Sequence, residues 1–284
     1  MAYLKIDYFS EVLNRAMQMG VILPEQEETV PQLSGLRNIP FQADRKLPVL
    51  YILHGLTDNY STWLRNTSIE RYASEKGIAV VLPDGYMGFY TNMCHGYNYF
   101  DYLSKEIPKV VHEFLPCLST RREDTFAAGN SMGAYGALKW ALACPEQIFS
   151  VGLFSGSFNI GMDILNDNMH FPLSYWNDVF GDIKNYTGSE NDLSASAKAA
   201  KANEKIKSDV YMWTGESDWL LYSNRLMKDE LLSDGFHVIY RETQGDHSWS
   251  DWDREILNYM DWIEQRRTAA ENTGKNNERQ GNDG

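Results

Sequence analysis

Ser131 lies between two glycines in the segment Gly129-Asn-Ser-Met-Gly133, and this spacing suits nucleophilic catalysis. A short apolar run precedes the segment and a helical pattern follows it, which predicts a strand, a sharp turn and a helix. Such a turn lifts a serine hydroxyl above the end of a sheet, where only glycines avoid collisions with the neighbouring strand and helix. The N-terminus of the helix also favours negative charge near the serine. The segment therefore predicts a nucleophile elbow.

The elbow motif alone is weak, because a chain of this length contains the spacing by chance about one time in ten. A serine hydroxyl needs a base to accept its proton, and histidine has a suitable pKa. His247 stands out because it lies in a loop directly after the last predicted strand. The other histidines can each be ordinary surface or core residues, namely His54, His95, His112, His170 and His237.

A carboxylate must orient the histidine and stabilise its charged form. Asp218 is the best candidate, because it follows a buried strand and precedes a helix. Glu216 and Asp246 are rival acids, although the position of Asp246 is more typical of a solvated loop residue. Nucleophile, acid and base then follow one another in the chain order of α/β-hydrolases.

The oxyanion of a tetrahedral intermediate needs two preorganised backbone N–H donors. Met132, directly after the nucleophile, should supply one donor. Leu56, in the loop after the first predicted parallel strand, should supply the other. These parts occur in the required order, so the sequence predicts a serine hydrolase that needs no metal and no organic cofactor.

Alternating strand and helix patterns predict an α/β-hydrolase fold, in which the sheet is doubly wound and mostly parallel. Continuous apolar runs, typical of strands buried on both faces, occupy residues 47–53, 78–83, 149–154, 209–214 and 237–240. Helices are expected over 62–74, 99–115 with a kink at Pro108, 195–205, 220–233 and 252–265. Two alternating segments near the amino terminus predict an antiparallel hairpin, and residues 24–46 a loop.

The length suits one domain over residues 1–266. Residues 155–207 break the alternating pattern and are expected to form an insertion, which either caps the site or packs against the side of the domain. Residues 267–284 are polar and rich in Gly and Asn, so they predict a disordered tail.

The net charge of −13 argues against nucleic acid or an anionic membrane as a partner, since both favour cationic surfaces. No apolar run reaches the length of a membrane span, and the first residues lack the pattern of a secretory signal. The expected location is therefore cytoplasmic. The three cysteines show no paired spacing, which suggests neither disulfides nor a zinc site.

Four stretches resemble the esterase D family of α/β-hydrolases, especially its bacterial tributyrin esterase-like members. They are His54-Gly-Leu-Thr-Asp-Asn59, Gly129-Asn-Ser-Met-Gly-Ala-Tyr-Gly-Ala137, Gly215-Glu-Ser-Asp-Trp219 and Gly245-Asp-His-Ser-Trp249. The resemblance covers residues 3–262 and implies a carboxylesterase of short acyl esters. It implies the triad Ser131, Asp218 and His247, with Leu56 and Met132 at the oxyanion hole.

The sequence departs from the family pattern at two places. Ala134 stands where a second glycine is usual, and its small side chain should matter little. The family's S-formylglutathione hydrolases usually carry a cysteine shortly after Gly-Leu-Thr, where this chain has Asp58-Asn-Tyr60. This difference argues against a thioester substrate without excluding it.

The resembling family also includes feruloyl and acetylxylan esterases. Side chains near the expected site could contact a sugar or cinnamoyl ring, namely His54, Trp63, Tyr90, Trp219 and Trp249, although core packing is the more frequent role of such aromatics. Acyl transfer to an alcohol is a further alternative, as in mycolyltransferase-like relatives of this fold. A non-catalytic binding protein is another, but the intact triad argues against it. The expected partner is a small-molecule or carbohydrate ester, and homo-oligomer formation stays open.

Overall fold

The computed structural model describes residues 1–24, 46–165, 171–202 and 206–281. Its centre is an eight-stranded sheet with the order β1-β2-β4-β3-β5-β6-β7-β8. The strands are β1 Ala2–Ser10, β2 Arg15–Leu23, β3 Val49–Leu53, β4 Ala79–Pro83, β5 Thr125–Asn130, β6 Ser150–Phe154, β7 Asp209–Gly215 and β8 Val238–Thr243.

Strands β3 to β8 run parallel, and β1 and β2 form an antiparallel hairpin that joins the sheet at β4. The predicted α/β fold with antiparallel N-terminal strands is therefore confirmed. The chain leaves β3 for β4 on one side and later returns to β5 on the other. The carboxyl ends of β3 and β5 thus flank the point where the winding reverses, which is where ligands bind in open α/β sheets.

The helices cover both faces of the sheet. They are α1 Thr62–Asn66, α2 Ile69–Lys76, α3 Tyr99–Asp101, α4 Ile107–Phe114, α5 Met132–Ala143, α6 Ile160–Leu165, α7 Leu173–Phe180, α8 Leu193–Ala202, α9 Leu221–Ser233 and α10 Trp249–Gly281. One core lies between the sheet and α4, α5, α7, α8 and α9, and the second between the sheet and α1, α2 and α10. Burial on both faces explains the continuous apolar runs of the parallel strands.

Two helices differ from the sequence prediction in their interruptions. The helix expected over 62–74 divides at Thr67, whose backbone is extended, and the next N–H, that of Ser68, donates to Asp253 in α10 at 2.7 Å. A π-helix, Tyr102–Glu106, separates α3 from α4 just before Pro108. Pro108 has no N–H to donate to the preceding turn, which accounts for an irregularity at this place.

The last helix, α10, starts at Trp249 and extends to Gly281, whereas the sequence predicts a helix end near Gln265 and a tail without regular structure. Arg, Ala and Glu, which favour helices, recur after Arg266, and no proline interrupts the segment. Within the part of the chain that the structure describes, no helix is long and apolar enough to cross a membrane.

The insertion over 155–207 packs against both α5 and the loop between β4 and α3. Its buried aromatic side chains join the core next to α5, namely Trp176, Phe180 and Tyr186. The N–H groups of Cys94 and His95 donate to the carbonyls of Val179 and Asp178 at 3.0 and 2.8 Å. The insertion therefore supports the β4–α3 loop at the carboxyl edge of the sheet. Residues 24–46 were predicted as a loop, and 25–45 lie outside the described residues.

Lys139 on α5 is 5% exposed and lies between this loop and the insertion. Its ammonium group donates to Thr91 Oγ1 and to Asn191 Oδ1, and it lies 4.9 Å from the ring centre of Phe100. Burial lowers the pKa of Lys139 to about 7, although the charge of Glu190 acts in the opposite direction. The helix that follows the elbow is thus joined to both segments by a lysine with a weakened preference for its charged form.

We expect Lys139 to make stability depend on pH. Its pKa in the folded protein, about 7, lies below the ordinary value of 10.5, so between these values the unfolded chain binds the proton more tightly. Folding stability due to this group should therefore rise as pH rises through about 7. Lys139→Met should remove this pH dependence. The unfolding free energy of the wild type, measured relative to that of the variant, should therefore rise by on the order of 1–3 kcal/mol between about pH 6 and about pH 9. Urea unfolding of both proteins checks this, and a constant difference would contradict it.

Candidate active site

Ser131 occupies a strained turn between β5 and α5. Its backbone has φ 53° and ψ −117°, a region that residues other than glycine rarely adopt. The Ser131 N–H donates to the carbonyl of Phe154, at the end of neighbouring β6, at 2.9 Å. The predicted strand, sharp turn and helix are all present, so the structure has the local geometry of a nucleophile elbow.

The glycines of the elbow allow a close backbone approach. A Cβ at Gly133 would lie 2.1 Å from the carbonyl oxygen of Leu53, and a Cβ at Gly129 would lie 2.5 Å from the carbonyl carbon of Gly133. Both obstacles are backbone atoms, which cannot rotate away as a side chain can. The glycines therefore let the end of β3 lie directly against the elbow.

The two predicted oxyanion donors lie on these two adjoining segments. Met132 is the first residue of α5, where an N–H has no intrahelical acceptor. Leu56 lies in the turn after β3, and the preceding Gly55 approaches Asn130 so closely that a Cβ would lie 2.9 Å from the amide nitrogen of that side chain. Within the described residues, neither donor N–H has a recorded hydrogen-bond acceptor. Neither N–H group is therefore used by the backbone hydrogen bonds of the described residues.

Asp58 closes the turn that carries Leu56. Its N–H donates to the carbonyl of Gly55 at 3.2 Å, while Thr57 between them has a positive φ of 71°. Burial raises the pKa of the Asp58 carboxyl, and His54, Arg65 and the backbone N–H of Gly55 act in the opposite direction. A Cβ at Gly55 would lie 3.2 Å from Asp58 Oδ2, so the side chain returns to the start of its own turn.

His247 and Asp218 form a hydrogen-bonded pair. His247 Nδ1 lies 3.1 Å from Asp218 Oδ2 and 3.2 Å from Oδ1. The carboxylate is fully buried, whereas the histidine side chain is 19% exposed. The imidazole is thus held through Nδ1.

The carboxylate of Asp218 is held in its charged form. Burial alone would raise its pKa, but hydrogen bonds from His247, from the Ser155 hydroxyl and from the Leu220 N–H together lower the pKa below its usual value. The Leu220 N–H donates at 2.8 Å. A buried negative charge with several donors can orient an imidazole and stabilise its protonated form.

Contact between the loops after β7 and β8 brings this acid and this base together. A Cβ at Gly215 would lie 2.4 Å from the carbonyl carbon of Gly245, so the two backbones touch. The Ser217 N–H donates to the carbonyl of Gly245 at 2.9 Å. Gly245 has a φ of 156°, which residues with a side chain avoid. The two glycines therefore fix the separation of the Asp218 and His247 loops.

Ser131 and the His247 pair share the carboxyl edge of the sheet but are linked indirectly in this structure. Within the described residues, no hydrogen bond of Ser131 Oγ is recorded. The connection passes through β6, because the Ser131 N–H donates to Phe154, and the next residue, Ser155, has a hydroxyl that helps to lower the pKa of the Asp218 carboxyl. Catalytic hydrogen bonds are commonly long or poorly aligned before substrate binds.

The rival acids lie elsewhere in the two loops. Glu216 and Asp246 are exposed, and the structure pairs Asp218, and neither of them, with His247 Nδ1. Asp246 contributes its N–H, which donates to Asp251 at 2.9 Å. Among the other histidines, His170 lies outside the described residues.

Three of the proposed substrate contacts are buried. His54 is 1% exposed, its Nε2 accepts from the Gly85 N–H at 2.9 Å, and its Nδ1 donates to the Gly55 carbonyl at 2.8 Å. Trp63 is also 1% exposed and bonds to the Leu53 carbonyl. Tyr90, 1% exposed, donates to the His54 carbonyl at 3.2 Å. These three side chains support the backbone at the end of β3 and at the start of the turn that carries Leu56.

Trp219 and Trp249 differ in their access to a substrate. Trp219 is 44% exposed, and its ring centre lies 4.9 Å from that of His247. Trp249 is partly buried and packs edge-on against Trp63 and Trp252. Of the two, Trp219 is therefore the ring that is accessible to a ligand next to His247.

Sequence reasoning missed Ser155 and Trp252. Ser155 follows β6 with a positive φ of 51° and accepts a hydrogen bond from Trp252 Nε1 at 3.1 Å. The Trp252 ring lies edge-on to His247, with ring centres 4.9 Å apart. The position of Ser155 at a strand's carboxyl end was a usable signal. Trp252 gave none, because its pattern is that of an ordinary buried helix residue.

Comparison with known proteins gives the family. The sequence pattern of the family described as "Putative esterase" matches residues 10–263. The chain belongs to this esterase family. The resemblance to esterases seen in the sequence is thereby confirmed.

An acetyl esterase of Caldicellulosiruptor saccharolyticus is 30% identical over 271 residues, which cover 93% of this chain and 98% of that protein. Two solved structures from Staphylococcus aureus are each 29% identical and cover 93% of this chain and 98% of theirs. The fluorophosphonate-binding serine hydrolase F, FphF, has a TM-score of 0.81, and the S-formylglutathione hydrolase FrmB one of 0.80. This esterase is accordingly a serine carboxylic ester hydrolase.

We expect Gly133→Ala to disrupt the elbow, because its Cβ would lie 2.1 Å from the Leu53 carbonyl oxygen. The unfolding free energy should fall by more than about 2 kcal/mol, and esterase activity should fall with it. Gly161→Ala in α6 is the matched control, because its Cβ would meet no atom closer than Tyr186 Cδ1 at 4.0 Å. Thermal unfolding and hydrolysis of p-nitrophenyl acetate check both. Equal behaviour of the two variants would contradict the role of Gly133.

Asp58→Ala should loosen the oxyanion turn and lower kcat roughly tenfold, the effect expected when one oriented hydrogen bond is lost. KM should change little, since the donor acts mainly on the transition state. Asp58→Asn keeps an acceptor of similar shape and should retain most of the activity. Steady-state kinetics with p-nitrophenyl acetate separate kcat from KM. A wild-type kcat in the alanine variant would show that the turn does not need this side chain.

Proposed function

We propose that this esterase hydrolyses short-chain acyl esters through Ser131, His247 and Asp218, with a covalent acyl-enzyme intermediate. The observation that carries the proposal is the buried Asp218–His247 pair on the same sheet edge as the strained Ser131 elbow. An ordinary structural ion pair has no need of a strained serine beside it. The two available N–H donors of Leu56 and Met132 supply the remaining requirement of acyl transfer.

The first half of the reaction acylates the enzyme. Ser131 Oγ attacks the ester carbonyl carbon while His247 Nε2 takes the hydroxyl proton. Asp218 accepts the Nδ1 proton in a hydrogen bond, which fixes the imidazole tautomer and stabilises the imidazolium. The carbonyl oxygen becomes an oxyanion that the N–H groups of Leu56 and Met132 bind. The C–O bond to the alcohol then breaks, and the alcohol leaves with the proton from His247.

The second half releases the acid. A water molecule gives a proton to His247 and attacks the acyl carbon of the ester on Ser131. The second oxyanion uses the same two N–H donors. Its collapse returns the proton to Ser131 Oγ and releases the carboxylic acid, so the enzyme is regenerated without an external cofactor.

The acetyl esterase relative supports a short acyl chain. For the alcohol, exposed Trp219 beside His247 supports a ring-bearing or sugar ester, so feruloyl and acetylxylan ester hydrolysis is the second candidate. The similarity to an S-formylglutathione hydrolase makes a thioester a third substrate to test. We propose a cytoplasmic location, supported by the absence of a disulfide among Cys94, Cys117 and Cys144, all of which lie in the described residues.

The triad assignment predicts large and unequal losses of activity. Ser131→Ala should lower kcat by roughly 10⁴-fold or more, and Asp218→Asn by roughly 10³–10⁴-fold, because the asparagine leaves His247 in the wrong tautomer. Asp246→Asn is the matched control: it removes a carboxylate adjacent to His247 in sequence and should leave kcat nearly unchanged. Initial rates with p-nitrophenyl acetate, butyrate and octanoate measure all three variants.

The same assay series should include methyl ferulate, acetylated xylan and S-formylglutathione. We expect p-nitrophenyl acetate to turn over faster than p-nitrophenyl octanoate. The relative rates with methyl ferulate, acetylated xylan and S-formylglutathione then identify the leaving group that the enzyme prefers. Retention of activity by Ser131→Ala would refute the mechanism. An equal loss in Asp218→Asn and Asp246→Asn would refute the choice of acid.

A further inference from the structure

Strand β1 forms a long, regular edge of the sheet. All nine residues Ala2–Ser10 pair with β2 in one uninterrupted register, so the strand has no bulge, and it contains no proline. Within the described residues, no strand pairs with its other side. Natural proteins usually protect such edges with bulges, prolines or a covering segment, because open N–H and C=O groups can pair with another chain.

The side chains of β1 divide into two faces. Tyr3, Lys5, Asp7 and Phe9 are exposed, with Tyr3 43% and Phe9 62% accessible. Leu4, Ile6 and Tyr8 are partly buried and pack against the first core. An edge that exposes aromatic rings at both ends and one charge of each sign near its centre is suited to a complementary strand.

The sequence of β1 is complementary to itself when read antiparallel about Ile6. A two-fold axis perpendicular to the sheet places side chains of the same face opposite one another. The numbers of two facing residues therefore add up to an even number, and this sum defines the register of the two strands. With the sum 12, Lys5 faces Asp7 of the partner subunit, and Tyr3 faces Phe9 of the partner subunit. Opposite charges and aromatic pairs directly across two strands are favourable. All nine residues of the strand are then paired.

The neighbouring registers are disfavoured by charge. With the sum 10, Lys5 would face Lys5 of the partner subunit, and with the sum 14, Asp7 would face Asp7 of the partner subunit. Like charges directly across two strands are destabilising. The charge pattern therefore selects the same register that gives the longest pairing.

We propose that the protein forms a two-fold homodimer in which β1 pairs antiparallel with β1 of a second copy, with Ile6 at the axis. The two eight-stranded sheets then join into one continuous sheet. On the inner face, Leu4 meets Tyr8 of the partner subunit, which extends the first core across the interface. The charge pairs Lys5 with Asp7 of the partner subunit occur twice by symmetry.

The first test exchanges the two charges. Sedimentation velocity should show a dimer for the wild type. Lys5→Asp and Asp7→Lys should each raise the dimer Kd by at least about tenfold, because each replaces attraction by repulsion. The double variant Lys5→Asp/Asp7→Lys should recover the wild-type Kd. Lys198→Asp on α8 is the matched control with the same change of charge, and it should leave the dimer intact.

The second test reads the register directly. Ile6→Cys, in a Cys94→Ser background that removes the exposed native thiol, should form a covalent dimer under mild oxidation, since facing residues have Cα atoms about 4.5–5.5 Å apart. Leu4→Cys should form none, because it faces Tyr8 of the partner subunit. Esterase activity reports the fold of every variant. A monomeric wild type, a double variant that stays weakened, or cross-linking by Leu4→Cys alone would overturn the proposal.

Discussion

The backbone of Ser131, at φ 53° and ψ −117°, holds a conformation that an L-residue keeps only where its surroundings enforce it. Enforcement comes from contact between the elbow and the end of β3, where Gly129 and Gly133 leave no room for any Cβ. The same contact places the Leu56 turn beside the first N–H of α5. One close approach of two backbones thus constrains both the Ser131 turn and the position of the Leu56 turn relative to α5.

The Asp218–His247 pair depends on a second contact of the same kind. Gly215 touches Gly245, and the loops after β7 and β8 are tied by backbone hydrogen bonds. Ser155 then lies between the two halves of the site, since it follows the strand that binds the Ser131 N–H and its hydroxyl helps to lower the pKa of Asp218. The site is therefore assembled at the ends of five parallel strands, and close backbone contacts set the separations of its loops. This explains why small residues are so frequent around it.

The sequence was sufficient for the parts whose chemistry restricts residue type. The strand–turn–helix at Ser131, the order of the parallel strands' ends and the Asp218–His247 pairing followed from motifs and position. The sequence was insufficient where contacts between distant segments determine a helix boundary or the neighbours of a side chain. The helix break at Thr67 depends on Asp253 in a distant helix, and the contact of Trp252 with His247 depends on the direction of α10. His54 shows the same limit, because a histidine next to an oxyanion turn suggests substrate contact until its burial is known.

The antiparallel hairpin gives the sheet two kinds of edge with separate uses. The carboxyl ends of the parallel strands expose polar backbone groups where the winding reverses, and there the reaction is proposed to occur. β1 ends the sheet laterally, and three strands, β2, β4 and β3, lie between it and β5. A second copy added at β1 therefore extends the sheet in its own plane and contributes no residue to the site. Loss of the dimer should leave the chemistry unaffected, so association and catalysis are physically independent properties of this fold.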